Sequence, residues 1–388
     1  MPRWIAKSAR VIGVAAAVLI TGLLTTFAIP VEEWRTGDQR LTPMTYAPSR
    51  AGPDVPRRLW IDTDAACGHS RRTDPDDCFA IALLAHAPDL QIVGISTVFG
   101  NAPLGVVDRT TIELAGRLSV ELGLTLPVYS GSATPLAPDA LSAEPPVHEA
   151  LTAALEAGPL TVLALGPLTN LAAVLRERPD LRSRVARLVA VMGRRPGHIF
   201  HPAEGAGAGI LFGHGPVFRD FNFVMDMRAS LQIVALSLPT TLIPYDAARG
   251  IEITAGDLDR LTASGGTMSW IAERARPWLG YWHEDIGRQG FYPFDLLAAA
   301  YVIEPHQFGC APVRAWVGED PTLFVPLWRP AALLVGQDGV RQEKIEAAGS
   351  DLYCAKVVAS IKRKLIDRFI AWSSEIYAGS AVTSGVKR

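Results

Sequence analysis

A surplus of charge of either sign is what this chain most clearly lacks: 37 Lys and Arg face 39 Asp and Glu, a formal net charge of -2 over 388 residues. The two signs are scattered, so no basic face is available to a polyanion, and nucleic acid is excluded as a partner. No internal repeat is visible, and with 49% hydrophobic and 20% charged residues the composition is that of a globular chain, not a disordered one. Cysteine is scarce. The four, Cys67, Cys78, Cys310 and Cys354, are even in number, which favours pairing in an oxidising compartment. A Cys67 to Cys78 bridge would close a short loop and a Cys310 to Cys354 bridge would tie the last segments together; the alternative is four small buried hydrophobes.

Charge is also absent locally. After Arg3, Lys7 and Arg10, the run VIGVAAAVLITGLLTTFAIPV carries none until Glu32. About twenty uncharged residues exceed a signal-peptide core and match a bilayer span, and the best small-residue cleavage pair, Thr26 and Ala28, is poor. Residues 1–31 therefore read as an export signal, preferably an uncleaved anchor with its basic end inside. Residues 32–56, rich in Pro, Arg, Thr and Gly, read as a linker, and residues 57–388 as the folded domain. The expected location is outside the membrane, anchored by the N-terminal segment or released after cleavage.

What is present is a regular alternation. RRLWIDTD, LQIVGISTVFG, LPVYSG, LTVLALG and ARLVAVMG have strand character, and between them lie helical stretches near 76–87, 106–122, 147–157 and 168–176. That order predicts an α/β fold: an open, mostly parallel sheet flanked by helices and preceded by the N-terminal hydrophobic segment. Farther on, DMRASLQIVALS, 258–287 and FDLLAAAYVI read as helices, CAPVRAWV, PAALLV and KVVAS as strands, and SIKRKLIDRFIAW as an amphipathic helix. Ligands of such sheets bind beyond the carboxyl ends of the strands. Five aspartates crowd there between Ile61 and Leu84: Asp62, Asp64, Asp74, Asp76 and Asp77. Carboxylates so close repel one another unless a cation sits among them.

The segments IDTD, DPDD, STVFGN, LALGPLTNLA, VAVMG, DFNFVMD and PFDLLAAAYVIEP, in that order from about Arg57 to Pro305, resemble the inosine-uridine nucleoside hydrolase family. The resemblance implies a Ca2+ ion held by Asp64, Asp77, the Leu165 carbonyl and Asp295. It further implies a ribose site formed by Asp76, Asn101, Asn222 and Asp220, the last standing where the family usually has Glu, with Met192 beside it and Asp62 orienting its neighbours from behind. The implied reaction is hydrolysis of an N-ribosidic bond, in which water activated beside the ion gives its proton to Asp64 as the base departs from an oxocarbenium-like transition state.

Three departures qualify the resemblance. Residues 65–75 lengthen a loop that is very short in the family, and the Cys67 to Cys78 bridge would hold its arms so that Asp64 and Asp77 converge; Asp74 is the alternative to Asp64 at the metal. Phe294 stands where many members place a proton-donating histidine, which shifts attention to Tyr281, Trp282, His283 and Tyr292 and, through stacking, to a purine preference. His214 replaces an Asn near the ribose 5'-hydroxyl, whereas His86, inside an apolar helix, reads as core. The tryptophans from Trp270 to Trp282 mark a base pocket or a subunit contact, the latter allowing a homo-oligomer. The competing reading is a nucleoside-binding protein of the same fold without turnover.

Overall fold

The computed structural model describes residues 17, 44–49, 58–138, 145–196, 220–249, 251–319, 331–336 and 351–384, the side chains of the last helix through 372. Apart from Ala17, the N-terminal segment lies outside the described residues, as do most of 32–56 and His214.

The strands, in chain order, are β1 (Ala47–Pro48), β2 (Arg58–Thr63), β3 (Gln91–Thr97), β4 (Val128–Tyr129), β5 (Leu160–Ala164), β6 (Val185–Ala190), β7 (Thr240–Leu242), β8 (Ile253–Thr254), β9 (Gly290–Phe291), β10 (Phe308–Glu319), β11 (Ala331–Gly336) and β12 (Asp351–Val357). The main sheet runs β4-β3-β2-β5-β6-β7-β12-β10-β1, with β11 also on β10, while β8 and β9 form a separate ribbon. Pairing is parallel from β4 through β12 and antiparallel around β10. The expected open, mostly parallel sheet is the one observed.

Why β2 lacks alternation follows from its place. It is buried on both faces: Leu59 and Ile61 join the core under the helices Asp76–Ala85, Gly266–Tyr281 and Phe294–Ile303, and Trp60 joins the core on the other face, under Pro146–Glu156 and Thr169–Glu177. A central parallel strand covered on both sides needs an apolar run. The chain winds from β2 outward through β3 and β4, then returns to β5 and winds the other way. The reversal lies between β2 and β5, and a crevice opens at such a switch point beyond the strand ends.

Several boundaries differ from the expectation. Residues within the stretch read as linker dock on the sheet: Ala47 and Pro48 pair with Cys310 and Gly309, and the Ser49 amide donates to the Phe308 carbonyl at 2.9 Å. An edge strand with open hydrogen-bonding groups recruits such a segment. The strand expected at KVVAS is instead Asp351–Val357, because β10 begins at Phe308, opposite Val357, and leaves residues beyond Val357 no partner. DFNFVMD contains a short helix, Phe221–Met225, capped by the Asp220 side chain. His86 is half-buried at a helix end, with its ring stacked on Trp372 at 4.3 Å, lining a cleft of about 660 Å³ with Leu90, Leu124 and Leu126. The cleft lies by the start of β3, at the opposite end of the sheet from the aspartates.

Cys310 and Cys354 are joined across β10 and β12, and the bridge closes a 44-residue separation. By the loop-closure argument, replacing both with Ser should cost roughly 2 to 5 kcal/mol. Urea unfolding of the double variant should show a lower midpoint, with a slope that rises because the unfolded chain, freed of its loop, exposes more surface; an unchanged midpoint would show that the packing of β10 on β12 alone sets stability there.

Candidate active site

Asp62 lies on β2 and Asp64 just past its end, two residues apart and hence on one side of the strand. The Asp62 Oδ1 atom accepts hydrogen bonds from Ser96 Oγ at 2.6 Å and Asn170 Nδ2 at 2.7 Å, while its Oδ2 is buried with no partner among the described residues. Burial is the main cause that raises its carboxyl to about 7, and the two hydrogen bonds act against it.

Asp64 is held by the turn that follows β3. Its Oδ2 accepts from the Asn101 backbone amide at 2.9 Å and its Oδ1 from Asn101 Nδ2 at 3.1 Å; the same amide reaches Asp77 Oδ2 at 3.3 Å. Asn101 thereby joins the strand end to the helix start. The turn comes this close because Gly100 has no side chain: a Cβ there would overlap the Asp64 carboxylate.

Asp76 and Asp77 open the Asp76–Ala85 helix, where the partial positive charge of the helix end favours carboxylates. Thr63 Oγ1 donates to Asp77 Oδ1, and the Asp295 backbone amide donates to Asp76 Oδ2 at 2.7 Å. Asp295 occupies the first turn of Phe294–Ile303, which packs on that helix. Side-chain oxygens of Asp76, Asp77 and Asp295 lie within 4.8 Å of one another, all buried. Asp64 adjoins this trio through Asp77, whose side chain it meets and with which it shares Asn101.

The electrostatics are those of a site waiting for positive charge. Burial foremost, then the charge of Asp77, pushes Asp64 well above the usual carboxylate range; burial, then Asp76, Asp77 and Asp64, does the same to Asp295. Asp77 is raised to about 6, by burial and then Asp76. Asp74, whose Oδ1 accepts from the Asp76 amide at 3.2 Å, is raised by burial and by Asp76. Asp76 Oδ1 is buried with no hydrogen-bond partner among the described residues. Hard oxygen donors converging from separate strand and helix ends, one of them unpartnered, fit a divalent cation such as Ca2+.

The remaining residues separate into two groups. Asn222 Nδ2 donates to the Leu165 carbonyl at 2.6 Å and the Val191 carbonyl at 3.1 Å, so Asn222 and Leu165 meet at the ends of β5 and β6. Asp220 accepts from the Gly193 amide at 2.6 Å and the Phe223 amide at 3.2 Å, and burial pushes its carboxyl to about 6. These stand at the same end of the sheet as the aspartates. Met192, by contrast, is 3% exposed and packs in the core, and Trp282 is 0% exposed, its ring edge-on to Tyr292 at 4.8 Å. Trp270 and Trp278 also turn inward, with Trp270 Nε1 donating to Glu113 at 2.8 Å, because they fill the layer beneath their helix. His283 is exposed on the turn Trp282–Ile286, and Phe294 is half-buried beside Asp295. Cys67 and Cys78 are disulfide-bonded.

Asn170 escaped sequence reasoning. Fully buried, it donates to Asp62 and to the Thr97 carbonyl at 2.9 Å and accepts from the Ser132 amide at 2.9 Å, tying three strand-end loops behind the aspartates. The available signal was an amide on the buried face of the helix that follows LALGPL.

A two-sided parallel sheet with a buried carboxylate cluster at its switch point defines an α/β enzyme built around an acidic centre. Comparison with known proteins sharpens that class. The family described as inosine-uridine preferring nucleoside hydrolase matches residues 59–323, and the chain belongs to it. The pyrimidine-specific ribonucleoside hydrolase RihA of Salmonella typhimurium is 24% identical over 271 residues, covering 63% of this chain and 81% of the relative. RihA of Photobacterium profundum is 26% identical over 287 residues, covering 68% and 84%. Among solved structures, a plant nucleoside hydrolase superposes with TM-score 0.63 at 18% identity, over 82% of this chain and 99% of that one. A purine-preferring ribonucleoside hydrolase from Gardnerella vaginalis gives 0.62 at 17%, over 82% and 98%.

The raised carboxyls fix the sign of a pH effect. Asp62 at about 7 and Asp77 and Asp220 at about 6 all lie above the ordinary 3.8. The folded chain thus binds more protons than the unfolded one between about pH 4 and 7, and stability without a cation falls as pH rises through that window. Chelator-treated protein should melt at a lower temperature at pH 7.5 than at pH 5, and Ca2+ should narrow the difference. Melting temperatures that rise with pH in chelator would refute this account of the cluster.

Proposed function

We propose that the protein is a Ca2+-dependent N-ribosyl hydrolase that converts ribonucleosides and water to free base and ribose, working outside the cytoplasmic membrane. The observation that carries this reading is the convergence of Asp64, Asp76, Asp77 and Asp295 with Asn101 at the switch point of a nucleoside hydrolase fold.

Asp77 and Asp295, with Asp64 or Asp76 and the Leu165 carbonyl, would hold the ion. Bound there, Ca2+ would acidify a water and help to fix the ribose hydroxyls. Asp64 takes the proton of the attacking water, and its grip by both amides of Asn101 keeps the carboxylate from swinging away. Asp76, Asn101, Asn222 and Asp220 serve the ribose hydroxyls, and His214 the 5' end. The water oxygen bonds to the anomeric carbon as the C–N bond breaks, its electron pair leaving with the base. Phe294 cannot protonate that base, so turnover should depend strongly on how well the leaving group carries charge. Trp282 and Tyr281 are shut inside the core and offer no ring face on which a purine could stack. Base preference is therefore left to a panel containing inosine, uridine and p-nitrophenyl riboside.

Base and reducing sugar should appear in that panel only with Ca2+. Asp64→Asn should lower kcat by about 10² to 10⁴-fold, the usual contribution of a general base, and Asp77→Ala should abolish calcium binding and with it the activity. Calcium-loaded, folded protein that binds ribonucleosides but releases nothing would make it a nucleoside-binding protein instead.

Two disulfides and the uncharged run from Val11 to Val31 support export and anchoring. In cells stripped of any outer membrane the domain should be digested by added protease, or be recovered in the released fraction if the segment is cleaved; protection inside such cells would overturn the export reading.

A further inference from the structure

Between Asp64 and Asp76 lie residues 65–75, a loop with carboxylates of the cluster at both of its ends. It is braced from three sides. The Cys67 to Cys78 bridge joins its arms across a Cα separation of 6.4 Å, with both residues buried, at 3% and 0% exposure. Arg71 Nη2 lies 2.6 Å from Glu284 Oε2 and 2.7 Å from Asp285 Oδ2, on the turn that ends the Gly266–Tyr281 helix. The Arg72 guanidinium sits 5.3 Å over the Tyr281 ring.

These braces are unequal. Arg71 is 45% exposed, and ion pairs so open to water contribute little. The disulfide is covalent, and its place in the chain matters more than its burial. Cys78 directly follows Asp77 in the first turn of the helix, and Cys67 is three residues past Asp64. The bridge therefore limits how far the strand end bearing Asp64 can part from the helix start bearing Asp76 and Asp77. Mutual repulsion drives those carboxylates apart when no cation is present; a cation draws them together.

We propose that Cys67 and Cys78 are positioning residues of the cation site, so that the intact bridge and cation binding strengthen one another. This rests on reading the carboxylates as a Ca2+ site. Coupling of this kind is reciprocal: the bridge raises cation affinity, and the bound cation, by the same factor, makes the bridge harder to reduce. Cys310 to Cys354, on the far edge of the sheet between β10 and β12, has no part in it and serves as an internal reference.

The test uses the full chain. Dithiothreitol supplies two electrons and two protons to each disulfide, itself closing to a cyclic disulfide, and the thiols formed are alkylated and located by mass spectrometry. With reduced and oxidised dithiothreitol at equilibrium, saturating Ca2+ should raise the ratio of reduced to oxidised reagent that half-opens Cys67 to Cys78 about tenfold or more relative to Cys310 to Cys354 in the same sample. Calorimetry of the Cys67→Ala, Cys78→Ala double variant should show Ca2+ affinity about 10- to 100-fold weaker, the range found when supports of metal ligands are lost. Should that variant fail to fold, relative protection in the unaltered protein decides. Equal protection of both bridges, or unchanged affinity in a folded double variant, overturns the coupling while leaving the cation site intact. Failure of the oxidised, unaltered protein to bind Ca2+ overturns the site reading and the coupling together.

Discussion

Repulsion among buried carboxylates is the constraint on which this molecule depends. Asp62, Asp64, Asp76, Asp77 and Asp295 are each at most 5% exposed and gathered at one end of the sheet. Burial disfavours the ionised form of all five, and neighbouring negative charge adds to this for Asp64, Asp77 and Asp295. A cost of this kind is offset when a positive charge enters, and an oxygen-rich cluster suits a hard cation. Asn101, Thr63, Ser96 and Asn170 supply the hydrogen bonds that fix the oxygens meanwhile.

The scaffold makes the crowding possible. Because β2 and β5 lie at the reversal of strand order, loops after β2, β3 and β5 and the starts of two helices converge on one crevice. The layers on both faces are apolar and nearly closed, so the polar groups at the strand ends have one another as partners and little water. The same packing explains the tryptophans: Trp60, Trp270, Trp278 and Trp282 are buried in the apolar layers on the two faces of the sheet.

Family membership sets the class of chemistry, and the departures set what is particular to this chain. The named relatives divide between pyrimidine-specific and purine-preferring enzymes, so the fold itself does not choose a base. Phe294, beside Asp295, cannot donate a proton, and residues 65–75 form a loop that a disulfide and an arginine restrain.

By itself the sequence determined the strand and helix order, the sheet class and the aspartates that meet, because apolar runs and their periods are local and IDTD and DPDD sit at element boundaries. It did not show Asn170, whose partners Asp62, Thr97 and Ser132 are 38 to 108 positions away, nor the docking of Ala47 and Pro48 on β10. It placed Met192 and Trp282 at the substrate, and packing turned both inward. It also ended the last strand too late, since register with β10, not propensity, decides where pairing stops. Local pattern fixes which elements form; only the tertiary structure decides which oxygen meets which donor and which aromatic faces the core, since those depend on contacts between residues far apart in the chain.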